Sequence, residues 1–458
     1  VLLGLAAATA WFVVVLAIGD SGDLSVPASR MLAIFGAAVA LWVSEAIPLA
    51  ATSIFVILAQ ILMISDEAIL ALPDSFDPPT YESIYATLAS PILMLFLGGF
   101  VLADAAAKYG LDRNLAGVML RPFGTRPAAL LGGLMVITAV LSMFVSNTAT
   151  TAAMMAVVLP VAASLEADDR FRVGLILAVP VAANIGGLGT PVGSPPNAIA
   201  LGRLDDRGIQ VDFVQWMAFA VPLAVLLLVV AWRLLVHRYP PSTASVSIRL
   251  GGRFDRSRSA MILYVAFALT VVGWMTEPLH GIHSSIIGFA PVVVLLASKV
   301  FTVDDLRGLN WHILWLVGGG IALGNGVSSS GLDVWLVDRF DWGSMPTLVL
   351  MFAMAGSALF LSTIISNSAT ANLFAPIAIS LSFSDAVDLD PILAGLLIAM
   401  ACSLAMALPV STPPNAVAYA SGAIESKDMA TVGLVVGGLG LGLVVFVMPP
   451  IWRAVGLL

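Results

Sequence analysis

The stretches VSNTAT (Val145–Thr150) and ISNSAT (Ile365–Thr370) decide how this chain is read. Each sets a Ser-Asn-hydroxyl triplet inside long apolar sequence, and Ser146 and Ser366 stand 220 residues apart. Of the 458 residues, 60% are hydrophobic and 10% charged, where an ordinary soluble domain carries about 25% charged residues. Mean hydropathy is +1.02. A bilayer core of ~30 Å asks for roughly 20 apolar residues per helix. Such runs recur at Leu2–Ile18, Met31–Ser44, Leu49–Ile64, Phe213–Leu235, Met261–Met275, Ile286–Ala297 and Leu434–Met448. Strand-like alternation is absent, which speaks against a membrane β-barrel. The expected fold is an all-α polytopic membrane protein.

Loop charge sets the orientation, because loops rich in Lys and Arg stay cytoplasmic. Residues 233–260 carry Arg233, Arg238, Arg249, Arg253, Arg256 and Arg258 against one acid, Asp255, and read as a cytoplasmic linker. Lys108, Arg113, Arg121 and Arg126 mark a second cytoplasmic stretch. Asp66–Glu82 has five acids and no base, which suits the outer face, and Ser384–Asp390 is likewise acidic. Alternation between these loops predicts about eleven membrane helices, with a cytoplasmic N-terminus and an external C-terminus, in the cell inner (plasma) membrane. The chain opens on Val1, so its numbering is expected to begin inside a longer protein. The single cysteine, Cys402, rules out an internal disulfide and a cysteine metal site.

The two halves are related. LGGFVLADAAAKYGLD (Leu97–Asp112) resembles VGGGIALGNGVSSSGLD (Val317–Asp333), and WVSE (Trp42–Glu45) matches WMTE (Trp274–Glu277). GSPPNAIA (Gly193–Ala200) returns as STPPNAVA (Ser411–Ala418). Four paired landmarks in one order predict a duplication, with a first repeat at 1–232 and a second at 261–458. Gly98 lies on a span running inward and Gly318 on one running outward. The repeats are therefore inverted, the transporter architecture whose site lies at the midplane between them.

Each triplet sits in a segment that leaves from and returns to loops of one charge character. Residues 127–165 and 347–383 are thus predicted as re-entrant hairpins, with Ser146-Asn147-Thr148 and Ser366-Asn367-Ser368 as their polar turns. Non-helical backbone at such depth survives only where protein buries it or a water-filled cavity adjoins it. Residues 173–202 and 391–421 are predicted as helices broken by Pro195-Pro196 and Pro413-Pro414, since each proline removes an amide donor. A break exposes carbonyls on one side, which suit a small cation, and helix N-terminal amides on the other, which attract anions. No Lys or Arg lies in either triplet or either Pro-Pro element. Burying a dianion there without positive charge is very costly, and a bound cation is the simplest remedy.

Other polar residues have plainer readings. Ser142 and Ser362, taken alone, suit packing or bonding back to their own helix. Glu45 and Glu277 fit helix-end capping beside Trp42 and Trp274 better than a proton relay. His237, His280, His283 and His312 lie at span ends without metal-ligand spacing.

At the two SN motifs, GSPPNAIA, STPPNAVA and the SEAIPLAAT stretch that follows the second span, the chain resembles the divalent anion:sodium symporter family, carriers of dicarboxylates, citrate and sulfate. The resemblance implies an inverted-repeat fold of eleven helices and two re-entrant hairpins, a homodimer, a transport domain that moves as an elevator, and two sodium sites. Carried onto this sequence, one site uses Ser142, Ser146 and Asn147 with backbone near Gly193. The other uses Ser362, Ser366 and Asn367 with backbone near Ser411. Asn147, Thr148, Ser194, Asn367, Ser368 and Thr412 would contact two carboxylates, with Pro195 and Pro413 holding the breaks. Ser368 stands where Thr is common, and the missing methyl is worth ~1–3 kcal/mol, enough to shift substrate preference.

The expected function is sodium-coupled symport of a C4-dicarboxylate such as succinate, malate or fumarate, with the lipid bilayer as medium and no nucleic-acid partner. A sodium-independent exchanger and a sulfate or other divalent-anion symporter are the alternatives on the same fold. An anion channel or a membrane enzyme is the alternative from another class, but neither H-E-x-x-H nor G-x-S-x-G occurs.

Overall fold

A computed structural model of the chain describes residues 1–18, 24–166, 168–242, 244–246, 254–339, 342, 345–384 and 387–458. Arg249 and Arg253 of the predicted linker and Asp385 of the second acidic loop lie outside the described residues. Among those described, every regular element is helical. The long helices are α1 (Leu2–Ile18), α2 (Val26–Ser44), α3 (Leu49–Ile64), α4 (Pro91–Lys108), α5 (Pro127–Phe144), α6 (Asn147–Ser164), α7 (Phe171–Gly187), α8 (Pro195–Asp206) and α9 (Phe213–Arg238). The second half supplies α10 (Arg258–Met275), α11 (Ser284–Ala297), α12 (Trp311–Ser329), α13 (Thr347–Ile364), α14 (Asn367–Leu381), α15 (Pro391–Ser403), α16 (Pro413–Tyr419) and α17 (Ser426–Gly442). Short helices join them.

Helix starts follow local chemistry. Apolar runs alone give α1 and α3 residue for residue. Elsewhere a polar cap fixes the start, upstream of the apolar run in α2 and at its first residue in α9. Ser25 Oγ accepts from Ala28 N at 3.3 Å to open α2, and Asp212 accepts from Gln215 N at 2.7 Å to open α9. Such caps satisfy amides that have no partner within the helix. Glu277 also acts at helix ends: its carboxylate accepts from Phe213 N at 3.2 Å and Ser284 N at 3.0 Å, joining the starts of α9 and α11.

Eight described helices are long and apolar enough to cross a membrane by length and composition. Three of them, α5, α6 and α13, belong to the predicted hairpins. At 18 residues each they are ~27 Å long. Length therefore does not separate a re-entrant arm from a crossing helix.

The two halves pack alike. In the first repeat α5 and α6 both pack on α7; in the second, α13 and α14 both pack on α15. The far halves of the broken helices cross over. α8 packs on α14 and α15, while α16 packs on α6 and α7. Each repeat thus completes the other. One large hydrophobic core runs through these hairpins, broken helices and α9. A second core joins α2 and α3 to α12 and to Ile365, Ala369 and Leu373 of the second triplet segment, and another joins α4 to α10 and α11.

Candidate substrate and cation site

The break at each triplet is shorter than the sequence suggests. Val145 and Ser146 are extended, and Asn147 already opens α6; Ile365 and Ser366 likewise precede Asn367 at the start of α14. Asn147, Thr148, Asn367 and Ser368, expected within the turns, instead form the first turns of helices. The physical consequence is a pair of helix N-termini at the break.

The Pro-Pro elements give a second pair. Pro195 and Pro196 occupy the first positions of α8, and Pro413 and Pro414 those of α16, where a missing N–H costs nothing. The asparagine after each pair repairs the upstream end. Asn197 Nδ2 donates to the Gly187 carbonyl at 2.9 Å and the Thr190 carbonyl at 2.8 Å. Asn415 Nδ2 donates to Met406 O at 2.8 Å and Leu408 O at 2.9 Å. The Thr190 and Leu408 carbonyls also accept from backbone, Gly193 N at 3.2 Å and Ser411 N at 3.1 Å, so the asparagines close each break together with its own turn. Gly193 is fixed by closeness, since a Cβ there would lie 2.6 Å from the Gly187 carbonyl oxygen.

All four N-termini open on one cavity of about 800 Å³. Its wall includes Ser146, Asn147, Thr148, Gly193, Ser194 and Pro195 from the first repeat, and Ser366, Asn367, Ser368, Ser411, Thr412 and Pro413 from the second. Glu45 and His312 also border it, and no Lys or Arg does among the described residues. Three of the four N-cap residues, Ser146, Ser194 and Ser366, do not cap their own helices. At α6 and α14 the first-turn amides stay uncapped and available to a ligand; at α8 the two prolines carry no N–H and Asn197 N bonds Ser194 O at 3.1 Å. Each helix N-terminus with free amides carries roughly +0.5 of an elementary charge, so those of α6 and α14 offset part of a dianion's charge.

Ser142 and Ser362 lie just behind this wall, fully buried. Ser142 Oγ contacts Asn147 Oδ1 and lies 2.9 Å from the Ala183 carbonyl oxygen. Ser362 Oγ lies 2.7 Å from Asn367 Oδ1 and 3.0 Å from the Cys402 carbonyl oxygen. A hydroxyl has one proton and cannot donate to two acceptors at once. Each repeat therefore gathers three oxygens around a single proton, an acceptor-rich cluster that suits a small hard cation.

Sequence reasoning missed the residues that join the repeats. Asn184 of α7 donates through Nδ2 to Thr412 Oγ1 at 3.1 Å and to Asn415 Oδ1 at 3.1 Å. Its counterpart in α15, Ser403, pairs with Ser194, the two Oγ atoms 3.0 Å apart. The repeated Pro-Pro-Asn signalled Asn197 and Asn415. Nothing in the sequence near Asn184 signalled that residue.

Comparison with known proteins gives the family. The model for the sodium:sulfate symporter transmembrane region matches residues 1–458. A sodium-dependent dicarboxylate transporter of Staphylococcus saprophyticus is 31% identical, the match covering 98% of this chain and 92% of that protein. One from Staphylococcus aureus strain USA300 is 30% identical over 90% of this chain and 84% of the relative. Among solved structures, the Alcanivorax borkumensis YdaH transporter aligns with a TM-score of 0.59 at 14% identity, covering 90% of this chain and 99% of that one. Neisseria gonorrhoeae MtrF aligns at 0.53 and 10% identity, covering 95% and 96%; both show the fold alone. These relatives are transporters and not enzymes. The chain is a member of the sodium:sulfate symporter family, the divalent anion:sodium symporters.

Proposed function

We propose that this protein couples sodium entry to uptake of a C4-dicarboxylate across the plasma membrane, with cations at the two Ser-Asn clusters and the dianion between the hairpin tips. One observation carries this reading: two triplets and two Pro-Pro breaks wall a single cavity that no Lys or Arg borders among the described residues. Helix N-termini attract the carboxylates. The three-oxygen clusters at Ser142 and Ser362 take sodium and add the positive charge that a buried dianion needs. Asn147 and Asn367 link the two functions, each reaching its serine with Oδ1 and the cavity with its backbone. Sodium binding fixes these asparagines and so prepares the anion site. The staphylococcal relatives, named as sodium-dependent dicarboxylate transporters, support the substrate class.

The same reading has the hairpins re-entrant and the large core they share moving as one body past the two flanking cores, an elevator. A homodimer, a cytoplasmic N-terminus and an external C-terminus belong to it as well. The test is uptake of labelled succinate into proteoliposomes under an imposed sodium gradient, with sulfate as the competing anion. Sodium-driven succinate uptake is the expected result; uptake indifferent to sodium removes the coupling, and sulfate uptake alone removes the dicarboxylate.

A further inference from the structure

α12 meets the cavity at one end and a charged network at the other. His312 and Leu316, near its start, border the cavity. Asn325 and Ser328, near its end, meet the far end of α8; roughly 24 Å separates His312 from Ser328 along the helix. Arg203 is only 5% exposed. It donates to Asn325 Oδ1 at 2.9 Å and to the Ile321 carbonyl, and pairs with Asp206 at 3.1 Å. Arg207 Nη2 lies 2.7 Å from Asp333 Oδ2 on the short helix Leu332–Asp338 that follows α12. It also reaches Ser328 Oγ at 2.6 Å and Ser380 Oγ of α14 at 2.8 Å. Two glycines one turn apart make room on α12: a Cβ on Gly324 would collide with the Arg203 guanidinium, and one on Gly320 with the Asn372 amide. α8 thus runs from Pro195 at the cavity to two arginines clamped at the far end of α12.

The second half is arranged the other way. Phe96 and Phe100 of α4 and Pro414 and Ala416 of α16 all border the cavity, which therefore lies between the two helices that correspond to α12 and α8. The sequence match of Gly98 with Gly318 sets Asp104 where α12 has Gly324, and Asp112 where the next helix has Asp333. The match of Pro195 with Pro413 sets Ser421 and Glu425 at the positions of Arg203 and Arg207. Closing α16 on α4 would bring Glu425 toward acids, with neither arginine reproduced. Burying charge without its partner is costly, so the two closures are unequal.

We infer that Arg203 and Arg207 form a one-sided latch. They hold α8 on α12, which keeps the site shut on that side and open between α4 and α16; releasing them shifts the protein toward the state in which α16 closes on α4 and the site opens along α8. The inference rests on the transport reading above, because a carrier must show one site to each side in turn.

The experiment measures maleimide labelling rates of two introduced cysteines in the full-length, detergent-solubilised protein, with the buried Cys402 left in place. Ile321→Cys reports the α8–α12 contact, where Ile321 is 2% exposed. Ala416→Cys reports the open side, where Ala416 is exposed. Arg207→Gln is expected to raise the Ile321→Cys rate at least fivefold and to lower the Ala416→Cys rate at least twofold. Asp333→Asn, which removes the other partner, moves both rates the same way. Arg207→Lys, which keeps the charge, stays within twofold of the parent at both positions. Rates unchanged by Arg207→Gln and Asp333→Asn overturn the inference. So does a rise at Ile321→Cys without a fall at Ala416→Cys, which marks local loosening, or an Arg207→Lys protein that behaves like Arg207→Gln. Labelling needs no transport, so absence of sodium-driven succinate uptake in proteoliposomes of the wild type overturns the functional reading separately.

Discussion

Ser362 Oγ lies 2.7 Å from Asn367 Oδ1, and Ser142 stands to Asn147 in the same way in the other repeat. In both, the serine also faces a carbonyl from the first half of the following broken helix. Two copies of one oxygen cluster, each one side chain removed from a shared cavity, are what the proposed coupling of cations to an anion rests on. A hydrogen-bonding group that contacts a charge is worth about 1.5–3 kcal/mol. Ser362→Ala is therefore expected to weaken sodium activation of uptake by roughly tenfold or more, since 1.4 kcal/mol is tenfold. Initial uptake rates against sodium concentration measure this. A half-saturating sodium concentration equal to the wild type's contradicts it.

Asn415 holds two carbonyls at the break between α15 and α16. Asn415→Ala leaves the buried Met406 carbonyl unpaired, at about 1–3 kcal/mol, while Leu408 O keeps its bond from Ser411 N at 3.1 Å. The melting temperature of the detergent-solubilised protein should fall by several degrees. Asn415→Asp, which keeps the size and loses the donor, should fall as far. An Asp variant as stable as the wild type shows that the donor is not what matters.

Gly193→Ala is a backbone collision. Its Cβ would meet the Gly187 carbonyl oxygen at 2.6 Å, and neither partner is a flexible side chain. Overpacking of this kind costs typically 1–3 kcal/mol. Because Gly193 borders the cavity, the strain should be read in transport before it is read in folding. Uptake by Gly193→Ala is expected to drop at least tenfold while the protein still purifies as a folded species.

Lys108 and Asp305 tie the end of α4 to the loop before α12, with Nζ 2.6 Å from Oδ2. Burial pushes the Asp305 carboxyl up, but the ammonium of Lys108 and the amide and hydroxyl of Thr302 outweigh it and hold the group below its ordinary value. A carboxyl depressed in the folded state adds stability above its unfolded pKa, and loses it as pH falls through the folded one. Lys108→Ala should therefore be less stable than the wild type by a constant margin from neutral pH down to about pH 5. The margin should shrink below about pH 4, near the ordinary aspartate range. The side chains are part-exposed, so the margin is small and should narrow further in high salt. Thermal melts across that pH range check both.

Much of this was legible in the sequence because the repeat made it so. Apolar runs gave helices such as α1 and α3, and the Pro-Pro-Asn and Ser-Asn pairs marked where helices stop and restart. The triplets were misread only in extent: Ser146 and Ser366 are extended, whereas Asn147 and Asn367 belong to the next helix. Such a boundary depends on which amide finds a partner, and that is settled by packing. Asn184 was illegible for a different reason. Its partners, Thr412 and Asn415, are more than 220 residues away, and its counterpart in the second half is Ser403, so the internal duplication carried no matching asparagine.

The central claim is that sodium ions, together with helix N-termini, stand in for lysine and arginine when the dianion is gripped. Equilibrium binding of succinate to the purified protein, with sodium replaced stepwise by a large organic cation at constant ionic strength, tests it most directly. Affinity should fall steeply with sodium and vanish without it. Undiminished succinate binding in the complete absence of sodium would contradict the account.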